Sequence, residues 1–125
     1  MAKGYQANKD RQELINSLGK TLSKRAAFHC EWCDGTDDLR VWDYRPDAEP
    51  TEESLALLCS PCRELAKGNS ADENRLRSIR NALWSDIPAV AEGAARVIAR
   101  CRESWVREAI EESLIEESLK QELLR

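Results

Sequence analysis

Two pairs of cysteines are the groups best placed to do chemistry. Cys30 and Cys33 flank Glu31 and Trp32, Cys59 and Cys62 flank Ser60 and Pro61, and residues 34–58 separate the pairs. Two residues between cysteines let a tight backbone knuckle aim both sulfurs at one ion. Two such knuckles supply four thiolates in a tetrahedron. That donor set suits one Zn²⁺, with Zn–S bonds of about 2.3 Å; mononuclear iron or a redox dithiol is the alternative. Cys30, Cys33, Cys59 and Cys62 are therefore the expected metal ligands. The ion's expected role is structural, because four protein ligands leave no open position at which water could be activated. Lys24, Arg25, Arg63 and Lys67 stand near in sequence and are expected to offset the surplus thiolate charge.

The other reactive side chains form no constellation. His29 is the single histidine of the chain and adjoins Cys30, but four cysteines already close the shell, so it reads as a surface or supporting residue. Cys101, the fifth cysteine, lies one helical turn from Ile98 and Trp105 and reads as a buried, inert thiol. An enzyme would have to use Asp43, Asp47 and Glu49 around a second metal, in a loop where solvated acids are ordinary. One histidine cannot supply a binuclear phosphohydrolase, which needs several His and Asp ligands with open positions. No enzymatic activity is expected.

These residues must be positioned by the rest of the 125-residue chain. Leu14, Ile15, Leu18 and Leu22 recur at helical spacing within residues 9–27, with Gly19 as a possible break into two short helices. Residues 28–68 hold turn formers around Asp34 to Asp38 and Pro46 to Pro50, with a strand pattern over Leu39 to Tyr44 between them. So short a segment, poor in large apolar groups, needs a staple, which metal binding supplies. Pro61 in a first turn and Gly68 at the end frame a short helix after the second knuckle. From residue 69 the chain reads as helix: Leu76, Ile79 and Leu83 form one stripe, with Ser70 or Asp72 as caps. Ser85 or Asp86 and Pro88 then restart a stripe that runs from Ile87 to Trp105. A last segment over about 103–124 carries Val106, Ile110, Leu114, Leu119 and Leu123. The expected organisation is thus an N-terminal helical segment (1–27), a four-cysteine module (28–68) and a C-terminal helical region (69–125).

Charge and composition bound the partners. Hydrophobic residues make up 42% and the formal charge is −4, with a pI of about 5.1, so the chain as a whole is not a basic nucleic-acid binder. Residues 69–102 nevertheless carry six Arg against four acids, while 103–125 carry three basic residues against seven Glu. Arg75, Arg77, Arg80, Arg96, Arg100 and Arg107, with the tryptophans, allow weak contact with DNA or RNA. Glu92 with Arg96 and Glu103 with Arg107 are spaced for helix-surface ion pairs. The terminal helix, with Leu114, Leu119 and Leu123, can pair with a second copy or an unknown protein partner. No apolar run approaches the roughly 20 residues that span a bilayer, and no secretory signal opens the chain. A cytoplasmic location and no membrane contact are expected.

Two resemblances follow from these motifs. Cys30 to Asn69, above all Leu57-Leu58-Cys59-Ser60-Pro61-Cys62 with Lys67-Gly68-Asn69, resembles the zinc-bound form of an HNH endonuclease. That family carries an Asp-His pair after the first knuckle and a histidine after the last cysteine. Asp43 with Tyr44 and Cys62 with Arg63 stand there in this chain, so the resemblance implies the scaffold without the nuclease. From about Leu22 onward the chain resembles the bacterial PhnA-type proteins, through Cys30-Glu31-Trp32-Cys33, the strand to Tyr44, Pro46, Leu58 to Cys62, and Asn81 to Val90. Asp34 precedes Gly35 where that family usually has glycine directly after the second cysteine, and Val90-Ala91 replaces its usual Val-Gln. The resemblance implies a small cytoplasmic zinc protein, from a family named for phosphonate-utilisation operons, with no catalytic residues to carry over. The expected fold is α+β and mostly helical: a small four-cysteine treble clef or zinc ribbon with a short β-hairpin, flanked by an N-terminal helix and C-terminal helices.

Overall fold

A computed structural model describes residues 2–69, 73–101 and 103–125; for residues 2–8 and 73 it describes the backbone alone. Ser70 and Asp72, the expected caps, lie outside the described residues. The fold is α+β and mostly helical, with one antiparallel hairpin and a cysteine cluster.

The N-terminal helix α1 runs unbroken over Ala2–Arg25. Gly19 does not divide it, because good helix formers flank it and its missing side chain faces open space. Leu22 is fully buried, while Leu14, Ile15 and Leu18 are half-buried. The helix ends where Ala27 and Phe28 take left-handed conformations, with φ of 53° and 60°. The Phe28 and Ala27 amides there donate to the Ser23 and Lys24 carbonyls at 2.9 and 3.1 Å.

Strands β1, Arg40–Asp43, and β2, Leu55–Leu58, pair antiparallel, with Arg40 opposite Leu58 and Asp43 opposite Leu55. All four residues of β2 are buried, because α1 and the long central helix both pack on it. A strand covered on both faces has no polar alternation, which is why Leu55-Ala56-Leu57-Leu58 is a continuous apolar run. Helix α2 spans Ser60–Ala66 and closes with the Gly68 and Asn69 amides donating to the Leu65 and Glu64 carbonyls, Gly68 having φ of 104°.

The stripe of Leu76, Ile79 and Leu83 is broken: Leu76 lies in α3, Glu73–Arg77, Ile79 in the turn that follows, and Leu83 in a 3₁₀ turn over Arg80–Trp84. Helix α4, Pro88–Ile98, is the hub. Pro88 opens it as expected, and the Ile87 amide donates to Ser85 Oγ at 3.1 Å. Its Ala89, Val90, Ala91, Gly93, Ala94, Ala95, Val97 and Ile98 are buried, so apolar neighbours surround it on nearly every side. Small residues let the hairpin, α2, α3 and the 3₁₀ turn approach its axis closely.

The expected helical segment over 103–124 is divided into α5, Ser104–Glu112, and α6, Glu117–Leu123. Ser113 is buried in the turn and donates to the Ile110 carbonyl at 2.7 Å, and Lys120 Nζ donates to the Glu111 carbonyl at 2.9 Å. The turn rotates the apolar period by one position, so Leu114 is 66% exposed and Ile115 takes its place inside. Among the described residues no helix is long and apolar enough to cross a membrane.

Candidate metal centre

The backbone delivers the four cysteines to one point from two sides. The first knuckle follows the left-handed end of α1. Its Cys30 amide donates to the Gly35 carbonyl at 2.7 Å, and the Asp34 amide returns to the Cys30 carbonyl at 2.9 Å. The second knuckle follows β2: Cys59 is the N-cap of α2, and Cys62 lies in its first turn, after Pro61. The Arg63 amide donates to the Cys59 carbonyl at 3.0 Å. The expected order of knuckle, hairpin and ligand-bearing helix is therefore present.

The Sγ atoms of Cys30, Cys33, Cys59 and Cys62 all lie within 4.8 Å of one another. Cys33 Sγ and Cys59 Sγ are 3.5 Å apart. A disulfide would need about 2.0 Å, and all four are free thiols. A tetrahedron with metal–sulfur bonds of about 2.3 Å has edges of about 3.8 Å, which matches this spread. Cys30, Cys59 and Cys62 are buried and Cys33 is half-exposed. Among the described residues this is the one group of His, Cys, Asp or Glu side chains able to hold a metal ion.

Packing four thiols this tightly makes their ionisation uneven. A hydrogen bond from Cys62 holds the Cys30 thiol down at about 5. The same bond, together with burial, pushes Cys62 far up, and burial pushes Cys59 up to about 11. The Cys30 thiolate forms readily, whereas Cys59 and Cys62 are disposed to ionise only with a cation beside them. Three nearby basic side chains have carboxylate partners of their own. Arg25 is paired with Glu31 at 2.6 Å, Arg63 with Asp38 at 2.8 Å and Lys67 with Glu64 at 3.3 Å. Of the four basic residues expected to offset the sulfur charge, Arg25, Arg63 and Lys67 are thus each engaged by a carboxylate.

The residues between the first two cysteines anchor the knuckle. Glu31 accepts the Leu57 amide at 2.9 Å and receives both Nε and Nη2 of Arg25. Arg25 also donates to the Glu52 and Leu55 carbonyls, so one side chain joins α1, the knuckle and β2. Trp32 points the other way. It is 3% exposed, meets Trp42 edge-on at 5.1 Å and lies against Gly93 of α4. A Cβ on Gly93 would fall 2.9 Å from Trp32 Cζ2 and 2.8 Å from Trp42 Cζ3. Gly35 is tight to a lesser degree, since a Cβ there would lie 3.3 Å from Cys33 Sγ. The second knuckle is held by Arg63, which donates to the Leu58 carbonyl at 2.7 Å and to the Asp38 carbonyl and carboxylate. Sequence reasoning offered Trp32, with the other tryptophans, for contact with nucleic acid, which its burial forbids, and it assigned no role to Glu31 or Gly93. The available signal was a bulky aromatic inside a knuckle, matched by a glycine in an otherwise strong helix.

The remaining candidates fall elsewhere. His29 stands outside the cluster, its half-exposed ring placing Nδ1 3.2 Å from the Asp34 carbonyl. Cys101 is half-buried, just past the end of α4, against the core. Asp43 is paired with Arg11 at 2.7 Å, and Asp47 and Glu49 are exposed; the structure does not gather the three around a metal. Arg96 and Glu92 take tertiary partners, while Arg107 keeps a helix-surface pair but with Glu111, four residues on, rather than with Glu103. Arg96 donates to Tyr44 Oη at 2.9 Å and faces Glu122, Glu92 accepts from Tyr44 Oη at 3.1 Å, and Arg107 pairs with Glu111. Comparison of the chain with family models, curated proteins and solved structures finds no match.

Proposed function

We propose that the chain is a non-catalytic zinc module in which one Zn²⁺, held by Cys30, Cys33, Cys59 and Cys62, fixes the hairpin against the helical body. The module then acts through protein or nucleic-acid contacts. The observation that carries this reading is the meeting of four thiol sulfurs within 4.8 Å, a soft donor set whose tetrahedral arrangement favours zinc over harder cations. Three of the four sulfurs are buried, so the centre is closed rather than open to substrate. The residues around it, Glu31, Trp32, Arg25 and Arg63, are engaged in packing and backbone contacts, as befits a staple. The layout supports a treble-clef description and accords with the PhnA-type resemblance. A reducing compartment such as the cytoplasm suits four free thiols.

Metal analysis of the purified protein should find one zinc per chain. Removal by a strong chelator should abolish the near-UV circular dichroism of Trp32 and Trp42 and lower the melting temperature. Unchanged dichroism and melting after zinc removal would refute the structural role.

A further inference from the structure

We propose that a hydroperoxide converts Cys33 and Cys59 into a reversible disulfide, which then joins the two knuckles in the metal's place. This deepens the proposed function and rests on it, since it concerns the same four sulfurs once the ion is displaced.

The geometry singles out one pair. Cys33 is half-exposed, whereas Cys30, Cys59 and Cys62 are buried. Its sulfur lies 3.5 Å from Cys59 Sγ, so closing to a bond of about 2.0 Å takes a movement of about 1.5 Å. Cys62 hydrogen-bonds Cys30 across the same gap, and Cys30 Sγ also accepts the Cys33 amide at 3.5 Å. Gly35 lies against the first pair: a Cβ there would stand 3.3 Å from Cys33 Sγ and 4.0 Å from Cys59 Sγ. The cover over this edge of the cluster is thus a half-exposed residue without a side chain, between the exposed Asp34 and Thr36. It is the side from which a small oxidant approaches.

Hydrogen peroxide is the simplest such oxidant. The Cys33 thiolate attacks one peroxide oxygen: an S–O bond forms, the O–O bond breaks, and hydroxide leaves and takes a proton from solvent. The sulfur gives up two electrons to the peroxide and becomes a sulfenic acid. The Cys59 thiolate then attacks that sulfur: the S–S bond forms, the S–O bond breaks, and a second hydroxide leaves as water. In sum, two thiolates, one peroxide and two protons give one disulfide and two waters. The donor set falls from four thiolates to Cys30 and Cys62, which do not complete a tetrahedral shell. The new bond still ties the first knuckle to the start of α2, the joint that the ion holds. A disulfide within either knuckle would leave that joint open.

The test treats the zinc-loaded full chain with hydrogen peroxide, following zinc release with a chromophoric chelator and thiols by differential alkylation. Each chain should lose about two thiols and about one zinc, and dithiothreitol with added zinc should restore both. Trypsin separates the knuckles by cutting after Arg25, Arg40 and Arg63. A bond across the knuckles therefore joins peptides 26–40 and 41–63, and fragmentation should place it at Cys33 and Cys59. Cys59→Ser should accumulate the Cys33 sulfenic acid, trapped by dimedone, and Cys33→Ser should trap none. Cys62→Ser also loses a ligand but should still join the peptides. The bond closes a loop of 26 residues, so the oxidised, zinc-free protein should melt about 10 °C above the chelated, reduced protein. Pairing within a knuckle, pairing of Cys30 with Cys62 or through Cys101, a sulfinic acid at Cys33 with no bond, or equal melting of the two zinc-free forms would each overturn the proposal. Zinc content and near-UV dichroism are measured on every sample before oxidation. Zinc-loaded chain that oxidises elsewhere defeats this inference alone. Chain that keeps its dichroism and melting after chelation defeats the reading beneath it, and the peptide map still decides the pairing.

Discussion

Replacing Gly93 with alanine would insert a methyl group between α4 and the tryptophan pair that seats the first knuckle. The added carbon would stand 2.8 Å from Trp42 Cζ3, 2.9 Å from Trp32 Cζ2 and 3.0 Å from Trp42 Cη2. Carbon–carbon contacts settle at about 3.5–4.0 Å, so both rings would have to recede by roughly 0.7 Å. Trp32 cannot swing freely, because cysteines of the cluster bracket it at positions 30 and 33. Overpacking costs about 1–3 kcal/mol, and two constrained rings put this site at the upper end. Alanine in a helix interior returns about 1 kcal/mol relative to glycine. The net expectation is a loss of about 2 kcal/mol, or about 8 °C in melting temperature for a chain of this size. Gly19→Ala is the internal control: nothing lies within 4 Å of its added carbon, and it should stabilise by about 0.5–1 kcal/mol. Urea denaturation of the zinc-loaded proteins, read by tryptophan fluorescence, measures both. Trp42→Leu in the Gly93→Ala background should recover about 1 kcal/mol of coupling. If Gly93→Ala stabilised the protein as Gly19→Ala does, the close approach of α4 to the tryptophans would be refuted.

Other perturbations test separate joints. Gly35→Ala brings a methyl group to 3.3 Å from Cys33 Sγ and should weaken metal binding about tenfold, measured by competition with a chromophoric chelator; unchanged affinity would show that the loop yields freely. Ala27→Gly relieves a left-handed residue at φ of 53° and should raise stability by about 0.5–1 kcal/mol in urea denaturation. Asp38's carboxyl is held below its ordinary value of 3.8 by hydrogen bonding and charge from Arg40, with Arg63 adding to both. A group so depressed adds stability above its unfolded pKa and loses it as pH falls through the folded one. Asp38→Asn should therefore lower the urea midpoint at pH 7, and parent and variant should converge on acidification; a difference constant with pH would exclude an electrostatic origin.

The sequence made some of these features legible and hid others for definable reasons. The meeting of the four cysteines was legible because two-residue spacing constrains backbone and chemistry together, and Gly68 because a left-handed helix end asks for glycine. The period starting at Ile87 was legible as far as Ile98, where apolar residues recur faithfully, but the stripe expected to run on to Trp105 is broken between the end of α4 and the start of α5 at Ser104. The division after α5 was not, since Leu114 continues the 3.6-residue period from Ile110 while Ile115 is the residue buried. What decides between them is Ser113, whose hydroxyl closes the turn by a bond to Ile110. Electrostatic partners were the least legible. Near-neighbour spacing suggested Glu92 with Arg96, yet folding brings Tyr44 and Glu122 to that arginine, and Arg45 to within 3.6 Å of Glu92. Gly93 reads as a weak point of a helix until its neighbours are known.

Arg25 gathers α1, Glu31, Glu52 and Leu55 with a single guanidinium, and this has a bearing on cooperativity. The C-terminal turn of α1 cannot open without disturbing the loop that carries Cys30, nor can that loop open without releasing the helix. The two belong to one unfolding unit, although α1 contributes no ligand. On the proposed zinc-bound reading, amide protons near Ser23 to Arg25 should then exchange at the rate set by loss of the metal, making the end of a helix that supplies no cysteine the reporter of the centre's occupancy.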